Sequence, residues 1–401
     1  MKRAGAIRIA VLWLVVLCTV VMVSPAVGAV EVKIETLDSV QRHPSISGDR
    51  IVWEDDRNRD SDIYLYDLGT GVETAICTAP GDQILPSISG NLIVWEDSRH
   101  GANPEVYLYD LTTGMERVIS SNGGVNYQKE PAIDGTNIVY MDSINGDDYN
   151  IHRYDINTGR NPTLNEDSKK QRHPVISGDD VAWIDYTTDM HYILYLYSIS
   201  AGGQPIAVTN GNTAPRALAL DAGRVVWSDN AGIFLYDRVT GTTKWLTPSP
   251  ANQENPVISG NTVIWEDDQT GTNYLYRYDL TTRQVTRLTS GTSRQYSASI
   301  DGNLVVYVEE QQGKNPHIYM TTITAGPQLV MVQGAAKMPT DPNQDGLYED
   351  LNGNGALDFN DVVLFFNQMD WIAGNEPVPA FDFNHNGRID FNDIVMLFNQ
   401  L

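Results

Sequence analysis

The sequence predicts an all-β fold, a seven-bladed β-propeller in which small sheets close into a ring, followed by a short helical domain. A phrase that occurs seven times supports this: a polar residue, usually Gln, a Pro (Ala298 in the last repeat) three residues later, a short apolar strand, a Gly, and a second apolar strand that ends in Trp or Tyr. The closing aromatic residues are 38 to 45 residues apart, the period of one blade, and they are Trp53, Trp95, Tyr140, Trp183, Trp227, Trp265 and Tyr307.

The first repeat shows the predicted construction of one blade. Residues 44–48 form a short strand and a turn, and residues 50–53 form a second strand that ends in the closing Trp. Residues 63–66 alternate aliphatic and aromatic side chains, a pattern typical of a third strand. Residues 72–77 then supply the fourth strand.

A propeller must join its last blade to its first, and two segments could do so. Residues 31–39 precede Gln41 in the way that a fourth strand precedes the next blade elsewhere in the chain. Residues 328–332 also look like a fourth strand for the last blade. We favour closure of the ring by the N-terminal segment.

Composition divides the chain into four segments. Residues 1–29 resemble a secretory signal peptide, with a basic start, an apolar run over 9–23 and a small-residue cleavage site. We expect a secreted protein, extracellular or on the cell surface, with no transmembrane anchor in the mature chain. Residues 30–325 are the predicted propeller, 326–340 a linker, and 341–401 a second domain.

The charge and the cysteine count limit the classes of function. The formal net charge of −24 argues against a nucleic-acid partner, which requires a basic surface, and favours cation binding. Beyond the signal peptide the only cysteine is Cys77, so no internal disulfide can form. An exported protein without disulfides depends on its core and on bound metal for stability.

The repeats resemble those of TolB-like, or WD-repeat-like, propellers of exported proteins. The resemblance covers about residues 31–325. It implies the propeller fold and leaves function open, because propellers serve in binding, scaffolding and catalysis.

Two segments of the second domain match a twelve-residue calcium loop. Side-chain oxygens at positions 1, 3 and 5 surround the ion, Gly at position 6 allows a sharp turn, position 7 offers a backbone carbonyl, and position 12 closes the site. An amphipathic helix follows each loop. The predicted metal residues are Asp350, Asn352, Asn354, Ala356, Asp358 and Asp361 in the first loop, and Asp382, Asn384, Asn386, Arg388, Asp390 and Asp393 in the second.

Position 12 is Asp, and only one helix accompanies each loop, a pattern that resembles the duplicated repeat of dockerin domains. The resemblance implies two calcium ions and docking to a cohesin-like or other surface protein. In dockerins, positions 10 and 11 help to recognise the partner; here they read Phe-Asn where Ser-Thr is usual, at Phe359, Asn360, Phe391 and Asn392. A half-motif at Asp341, Asn343 and Asp345 offers a possible third ion site.

The propeller offers weaker candidate residues for binding a ligand. The amides three residues before each first-strand Pro, among them Gln41 and Gln171, either bond the backbone of a neighbouring blade or form a polar rim for a ligand. Blades one and four add Arg42-His43 and Arg172-His173. These pairs could bind an anionic sugar or a carboxylate, or they could simply be inherited with the repeat.

The functional expectation is an exported, non-catalytic binding or scaffold protein. In it the propeller recognises a carbohydrate or protein ligand, and the calcium-loaded tail tethers the chain to an extracellular assembly. The alternative is an extracellular polysaccharide-degrading enzyme, a lyase or a glycosidase, that carries a dockerin. A structural wall component is a third possibility. The sequence contains no Gly-x-Ser-x-Gly elbow, no His-x-x-x-His pair and no phosphate loop.

Overall fold

The computed structural model describes residues 32–34, 38–119, 126–143, 149–165, 170–186, 192–248, 252–289, 292–323, 329–342, 347–384 and 386–401. The predicted signal peptide lies outside these described residues. Within the described residues no helix is long and apolar enough to cross a membrane.

Seven antiparallel sheets form the predicted seven blades. Blade one is β2 (Gln41–Ser47), β3 (Arg50–Asp55), β4 (Asp62–Asp67) and β5 (Val72–Cys77); blade two is β6 (Gln83–Ser89), β7 (Leu92–Asp97), β8 (Glu105–Asp110) and β9 (Met115–Val118). Blade three is β10 (Gln128–Asp134), β11 (Asn137–Ser143) and β12 (Tyr149–Asp155); blade four is β13 (Lys170–Ser177), β14 (Asp180–Tyr186), β15 (Tyr192–Ser198) and β16 (Ile206–Ala207). Blade five is β17 (Leu218–Asp221), β18 (Arg224–Asp229), β19 (Gly232–Asp237) and β20 (Thr242–Pro248). Blade six is β21 (Gln253–Ser259), β22 (Thr262–Asp267), β23 (Tyr274–Asp279) and β24 (Val285–Arg287).

The seventh blade joins the two ends of the propeller. Its strands are β25 (Arg294–Asp301), β26 (Leu304–Glu310) and β27 (His317–Thr322), and β1 (Val32–Lys33) pairs with β27 on the outer edge. The prediction of closure by the N-terminal strand is therefore confirmed. The alternative segment goes elsewhere, since Val332 is buried in the core of the helical tail.

The first strands of the blades surround the central channel, and each contacts the first strands of both neighbouring blades. At the end where these strands finish, the turn residue of each blade donates its N–H to a Ser or Asp side chain of the preceding blade. Seven such bonds complete the circle, including Gly48 N to Asp301 Oδ2 at 2.6 Å between blades one and seven.

The hydrophobic core lies between the blades, because each of seven apolar clusters combines residues of two neighbouring sheets. The closing aromatic of every blade is buried and stacks on a ring of the third strand, as Trp53 does on Tyr64 with 6.2 Å between ring centroids. Burying a large aromatic side chain contributes about 2–3 kcal/mol. The repeated Trp or Tyr is therefore the main packing residue of the ring.

The tail is a small helical unit with its own core. It contains α1 (Phe359–Asn375), α2 (Val378–Phe381) and α3 (Phe391–Phe398). Helices α1 and α3 begin with the same capping box, in which Asp358 or Asp390 accepts from the backbone and the Asp three residues later reciprocates. Phe365 and Phe381 are fully buried between the helices.

Candidate functional site

One end of the channel, here called the mouth, is the end at which the first strands begin. In six blades the second residue after the buried Gln is a β-bulge residue with positive φ, although none is Gly: His43, Leu85, Glu130, His173, Asn255 and Ser297, with φ between 46° and 57°. Positive φ is unfavourable for residues with a side chain, and strain of this kind is concentrated at functional sites. A bulge also redirects the side chain, here at the mouth.

Carboxylates of the preceding blade hold several of these strained residues. Glu54 Oε1 accepts from Leu85 N at 2.5 Å, Glu96 Oε1 accepts from Glu130 N at 2.6 Å, and Glu130 Oε2 accepts from His173 N at 3.0 Å. A charge-assisted bond to a backbone N–H is among the stronger hydrogen bonds in proteins. Neighbouring blades are thereby linked through the strained positions.

Burial separates the pKa values of two of these carboxyls. Burial raises the pKa of Glu96 to about 7, and neighbouring Glu130 and Glu54 add to the increase. Burial also acts to raise the pKa of Glu130, but the hydrogen bonds and charge of His173 outweigh it and hold that pKa below its ordinary value. The mouth therefore contains a carboxyl group that titrates near neutral pH beside one that stays ionised.

Both histidines of the repeated Arg-His pairs are bonded to a carboxylate. His43 Nδ1 lies 2.8 Å from Glu54 Oε1, and His173 Nδ1 lies 3.0 Å from Glu130 Oε2. The His43 and His173 side chains are 47% and 39% exposed. A carboxylate on one ring nitrogen fixes the imidazole and leaves the other nitrogen available to act as a base.

The blade-four pair also has aromatic and cationic neighbours. The Arg172 guanidinium carbon lies 5.5 Å from the ring centre of Tyr149 and 5.4 Å from that of Tyr186. In the adjacent blade, Lys129 Nζ lies 5.4 Å from the ring centre of Tyr127. Cations that stack on aromatic rings combine attraction for an anion with a flat apolar surface. Arg172 and Tyr186 thus lie beside His173, whose ring centre is 6.4 Å from that of Tyr186, and blade three adds Lys129 and Tyr127 at the same mouth.

The blade-one pair lies at the same mouth but in a different setting. Arg42 is exposed, and its charge is one of the influences on Tyr296, whose pKa is raised mainly by burial. Two blades separate Arg42 and His43 from Arg172 and His173. Each histidine has its own carboxylate partner, so the structure forms two separate dyads rather than one cluster.

Gln41 and Gln171 do not line the mouth. Gln41 and Gln171 are fully buried, and their Oε1 atoms accept from Ile318 N at 3.0 Å and from Ile151 N at 2.9 Å, in the preceding blades. Gln41 Nε2 also donates to Asp55 Oδ2 at 3.1 Å. In the described residues these two side chains join blades, as one of the two sequence interpretations expects.

Sequence reasoning assigned no role at the site to Glu54, Glu96 and Glu130. Glu54 and Glu96 directly follow the closing Trp of their blades, a position at which acidic residues recur and favour bonds to hairpin amides. The third, Glu130, is a bulge residue of blade three and lies 43 residues before its partner His173. A Glu after the closing aromatic and a His or Glu before the first-strand Pro are the signals that could have identified the network.

The two predicted calcium loops of the tail have the same internal geometry. In the first, Asp350 accepts from Asn354 N at 2.9 Å and Gly355 N at 2.6 Å, and Asp361 accepts from Asn352 N at 3.0 Å and Asp358 N at 2.8 Å. The equivalent bonds of the second loop measure 3.0, 2.7, 3.0 and 2.7 Å at Asp382 and Asp393. In each loop the backbone therefore wraps around the carboxylates of positions 1 and 12.

Burial and charge of the loop carboxylates bear on whether a cation fits. Asp350, Asp361 and Asp393 are fully buried, and burial raises the pKa of Asp361 and Asp393, helped by the charges of neighbouring aspartates. Within the described residues no three His, Cys, Asp or Glu side chains form a metal site. The loops instead combine Asp with Asn oxygens, a mixed oxygen set that suits calcium. For the predicted third site, Asn343 and Asp345 lie outside the described residues.

The predicted partner-binding residues lie on an exposed face of the tail. Phe359, Asn360, Phe391 and Asn392 are all exposed at the starts of α1 and α3. Phe359 packs edge-on against Phe398, and Phe366 packs edge-on against Phe391, each pair with 6.3 Å between ring centres. The four rings border an apolar groove of about 280 Å³ between the two helices. Because α1 and α3 contribute equivalent positions, the groove is nearly symmetric.

Comparison with known proteins supports the fold. No protein-family model and no curated protein matches this sequence. An oligogalacturonate lyase from Vibrio parahaemolyticus aligns with a TM-score of 0.60 and 13% identity, over 76% of this chain and 96% of that one. The β-propeller domain of the Trilobed protease from Pyrococcus furiosus aligns with a TM-score of 0.57 and 12% identity, over 71% and 94%.

A third similar structure is the Pyrococcus horikoshii acylaminoacyl peptidase, with a TM-score of 0.56 and 14% identity over 70% of this chain. The alignment covers 51% of the peptidase, so this chain spans about half the length of such peptidases. At these identities the likeness shows the fold, a seven-bladed propeller.

The same comparison corrects the functional expectation. A non-catalytic binding or scaffold protein was expected, and that expectation is wrong, because the similar propellers are enzymes or parts of enzymes: a lyase, acylaminoacyl peptidases and puromycin hydrolases.

Proposed function

We propose that this chain is an exported enzyme that cleaves an acidic polysaccharide by elimination, with its active site at the mouth over blades three and four. The observation that supports it most directly is the His173–Glu130 dyad beside Arg172, a fixed base next to a cation. Among the similar structures, the oligogalacturonate lyase is matched over nearly its whole length, whereas the acylaminoacyl peptidase is matched over about half and the Trilobed protease through its propeller domain. This favours a lyase over a peptidase.

Four residues of the mouth each have a role in the proposed elimination. Arg172 and Lys129 bind the carboxylate of a uronic acid unit and make the neighbouring carbon more acidic. His173 Nε2 takes the proton from that carbon while Glu130 holds the imidazole through Nδ1. The electron pair of the C–H bond forms a carbon–carbon double bond, the adjacent carbon–oxygen bond of the glycosidic link breaks, and water protonates the leaving oxygen.

A glycosidase fits this mouth less well. Such an enzyme needs two carboxyl groups free to protonate the leaving group and to attack or activate water. Here Glu54, Glu96 and Glu130 all accept hydrogen bonds from backbone N–H groups, and two of them also hold imidazoles. One oxygen of each carboxyl group is thus engaged by the fold, so elimination by histidine is the better match.

The test is turnover of polygalacturonate and other acidic polysaccharides by variants of the full chain. We expect His173→Ala and Arg172→Ala each to lower turnover by about 100-fold or more, since a positioned base contributes that much. Arg172→Lys should recover little, because the planar fork is lost. His43→Ala is the matched control from the other dyad and should stay within about threefold of the parent, as distant sites act independently. Equal losses at His43 and His173 would overturn the assignment.

For the tail we propose a dockerin-like domain that binds two calcium ions and docks a cohesin-like or other surface protein. The identical hydrogen bonding of the two loops supports the first part, and the symmetric phenylalanine groove supports the second. When bound, calcium would neutralise the buried aspartates, with Asp350, Asn352, Asn354 and Asp361 holding one ion and their equivalents the other. Together with TolB-like repeats and a signal peptide, this would place the enzyme outside the cell on an assembly.

A further inference from the structure

Blade five departs from the other six at the mouth. Where they place a buried Gln, it has the exposed Asn212, and its first strand begins only at Leu218. No bulge residue with positive φ occurs there. The segment before Leu218 therefore leaves the regular strand: Arg216 N and Ala217 O still bond Ser228 of β18, and residues 211–214 before them border a gap beside blade four.

The departure leaves polar atoms without partners. In the four other blades closed by Trp, the indole N–H donates to the Asp two residues later. In blade five the equivalent Asp229 instead accepts from Ala231 N at 2.7 Å through Oδ1. Among the described residues, Trp227 Nε1, Ser228 Oγ and Thr213 Oγ1 are buried and have no hydrogen-bond partner. Unpaired buried polar atoms are uncommon and need an explanation.

A cavity of about 410 Å³ occupies the gap, within the range of ligand pockets in proteins. Its lining combines amides, one carboxylate and hydroxyls with two aromatic rings, and contains no Lys, Arg or His: Tyr192, Gly211, Asn212, Thr213, Ala214, Asp229, Asn230, Ala231 and Phe234. Amide groups donate to and accept from hydroxyls, a carboxylate accepts from them, and the faces of aromatic rings pack on apolar C–H surfaces. Arg216 bonds the lining residue Asn230 from outside, but it also pairs with Glu254 at 3.3 Å, so its charge is already matched. With Asp229 in the lining, the pocket suits an uncharged polyhydroxylated ring better than a uronate.

We propose that this pocket binds a neutral sugar unit of the chain that blade four cleaves, an inference that rests on the proposed function. The two sites are connected by aromatic rings. Tyr192 at the pocket packs edge-on against Tyr186 at 4.9 Å, and Tyr186 lies 5.4 Å from the Arg172 guanidinium. The preferred substrate would then alternate or branch, with an acidic unit at Arg172 and a neutral unit in the pocket.

The experiment measures binding and turnover separately on the full chain with calcium. The probes are three neutral trisaccharides (cellotriose, maltotriose and β-1,4-galactotriose) in calorimetry and saturation-transfer NMR, and trigalacturonate in the turnover assay. We expect at least one neutral trisaccharide to bind, and Asn212→Ala with Asp229→Ala to weaken it about tenfold or more, since one or two buried hydrogen bonds are worth that much. Asn91→Ala, an exposed Asn at the opposite end of the channel, is the control and should bind like the parent.

Arg172→Ala separates the two proposals. It should abolish turnover of trigalacturonate and leave binding of the neutral trisaccharide unchanged. If no neutral trisaccharide binds, or if the pocket variants bind it as well as the parent does, the pocket assignment is overturned whatever the turnover result. If neutral binding needs the pocket but no acidic substrate is cleaved, the pocket stands and the proposed function fails.

Discussion

At the residue scale, the mouth is built from residues whose backbone conformation or protonation state is unfavourable by itself. His173 has positive φ before a Pro, a position that strongly disfavours such backbone. It is held there because Glu130 bonds both its N–H and its ring. Strain that several neighbours enforce is expected where a side chain must be aimed at a substrate.

The raised pKa of Glu96 leads to a prediction about stability. A carboxyl whose pKa rises from 4.5 to about 7 on folding favours the folded state while it is protonated. That contribution is fully present below the unfolded pKa and is lost as the pH rises through about 7. Replacing the group by Glu96→Gln keeps the bond to Glu130 N but removes the titration. Between pH 5 and pH 8 the parent should therefore lose about 3 kcal/mol more unfolding free energy than the variant.

Denaturant unfolding of both proteins at the two pH values tests this. Parallel losses in parent and variant would show that Glu96 titrates with its ordinary pKa. Glu266→Gln is a useful companion, because burial raises the pKa of Glu266 as well.

The sequence could identify only part of the site. The repeated Arg-His pairs were visible because blades one and four share the same four residues. Glu130 was not recognised as the partner of His173, because that contact depends on how blade three packs on blade four. The pocket in blade five was also missed. The sequence shows that Asn212 replaces the usual Gln, but it does not show which polar atoms lose their partners, because that depends on the orientation of the Asp229 side chain.

At the element scale, a two-residue strand completes the last blade and joins the two ends of the propeller. β1 has two residues, and Ile34 N extends its pairing by donating to Ile318 O at 3.0 Å. Without it the edge of β27 would be exposed, and exposed strand edges are prone to unfolding and association. Deleting residues 31–39 should lower the melting temperature by roughly 5 °C or more.

The comparison chain for this deletion begins at residue 30, so that only the closing strand differs. Calorimetry of the two proteins measures the difference in melting temperature. An unchanged melting temperature would mean that the ring is held by the inter-blade clusters and turn bonds alone.

The calcium loops provide a second prediction at this scale. Asp350→Ala with Asp382→Ala removes the first ligand of each loop, so we expect calcium binding to be lost and the calcium-dependent gain in tail stability to disappear. Asp370→Ala, an exposed aspartate on α1 outside the loops, is the control for lost charge. Titration calorimetry and thermal melts with and without calcium are the measurements. Undiminished calcium uptake by the double variant would refute the assignment.

The phenylalanine groove leads to a third prediction at this scale. Phe359 and Phe391 are 59% and 55% exposed, so replacing either by Ala should change the stability of the calcium-loaded tail by only about 0.5 kcal/mol. The symmetry of the groove predicts that each single variant still captures a cohesin module on a sensor surface, whereas the double variant does not. If a single change unfolds the tail, the rings are core residues and the docking proposal loses its support.

At the scale of the whole molecule, the seven-bladed fold was predictable because one packing residue repeats at a nearly constant interval. The closing aromatic, the Gly turn and the alternating third strand specify a blade, and seven copies specify the ring. The segment before the tail was less predictable. Residues 326–340 were expected to be a linker, and the part of them that the structure describes includes Val332, buried in the tail core, and Val330, which donates its N–H to Glu376 Oε2 at 3.2 Å. Such contacts depend on the helices that the segment meets.

Catalysis at the mouth is the central proposal, and product analysis distinguishes elimination from hydrolysis. The full chain with calcium is incubated with polygalacturonate and other acidic polysaccharides, and products are followed by mass spectrometry and by ultraviolet absorbance of a new double bond. We predict that each cut gives one unsaturated oligosaccharide lighter by one water than its hydrolysis product, formed by the parent and by His43→Ala but not by His173→Ala. Products that all have the hydrolysis mass and no new double bond, or equal activity in the His173 variant, would contradict the proposed elimination.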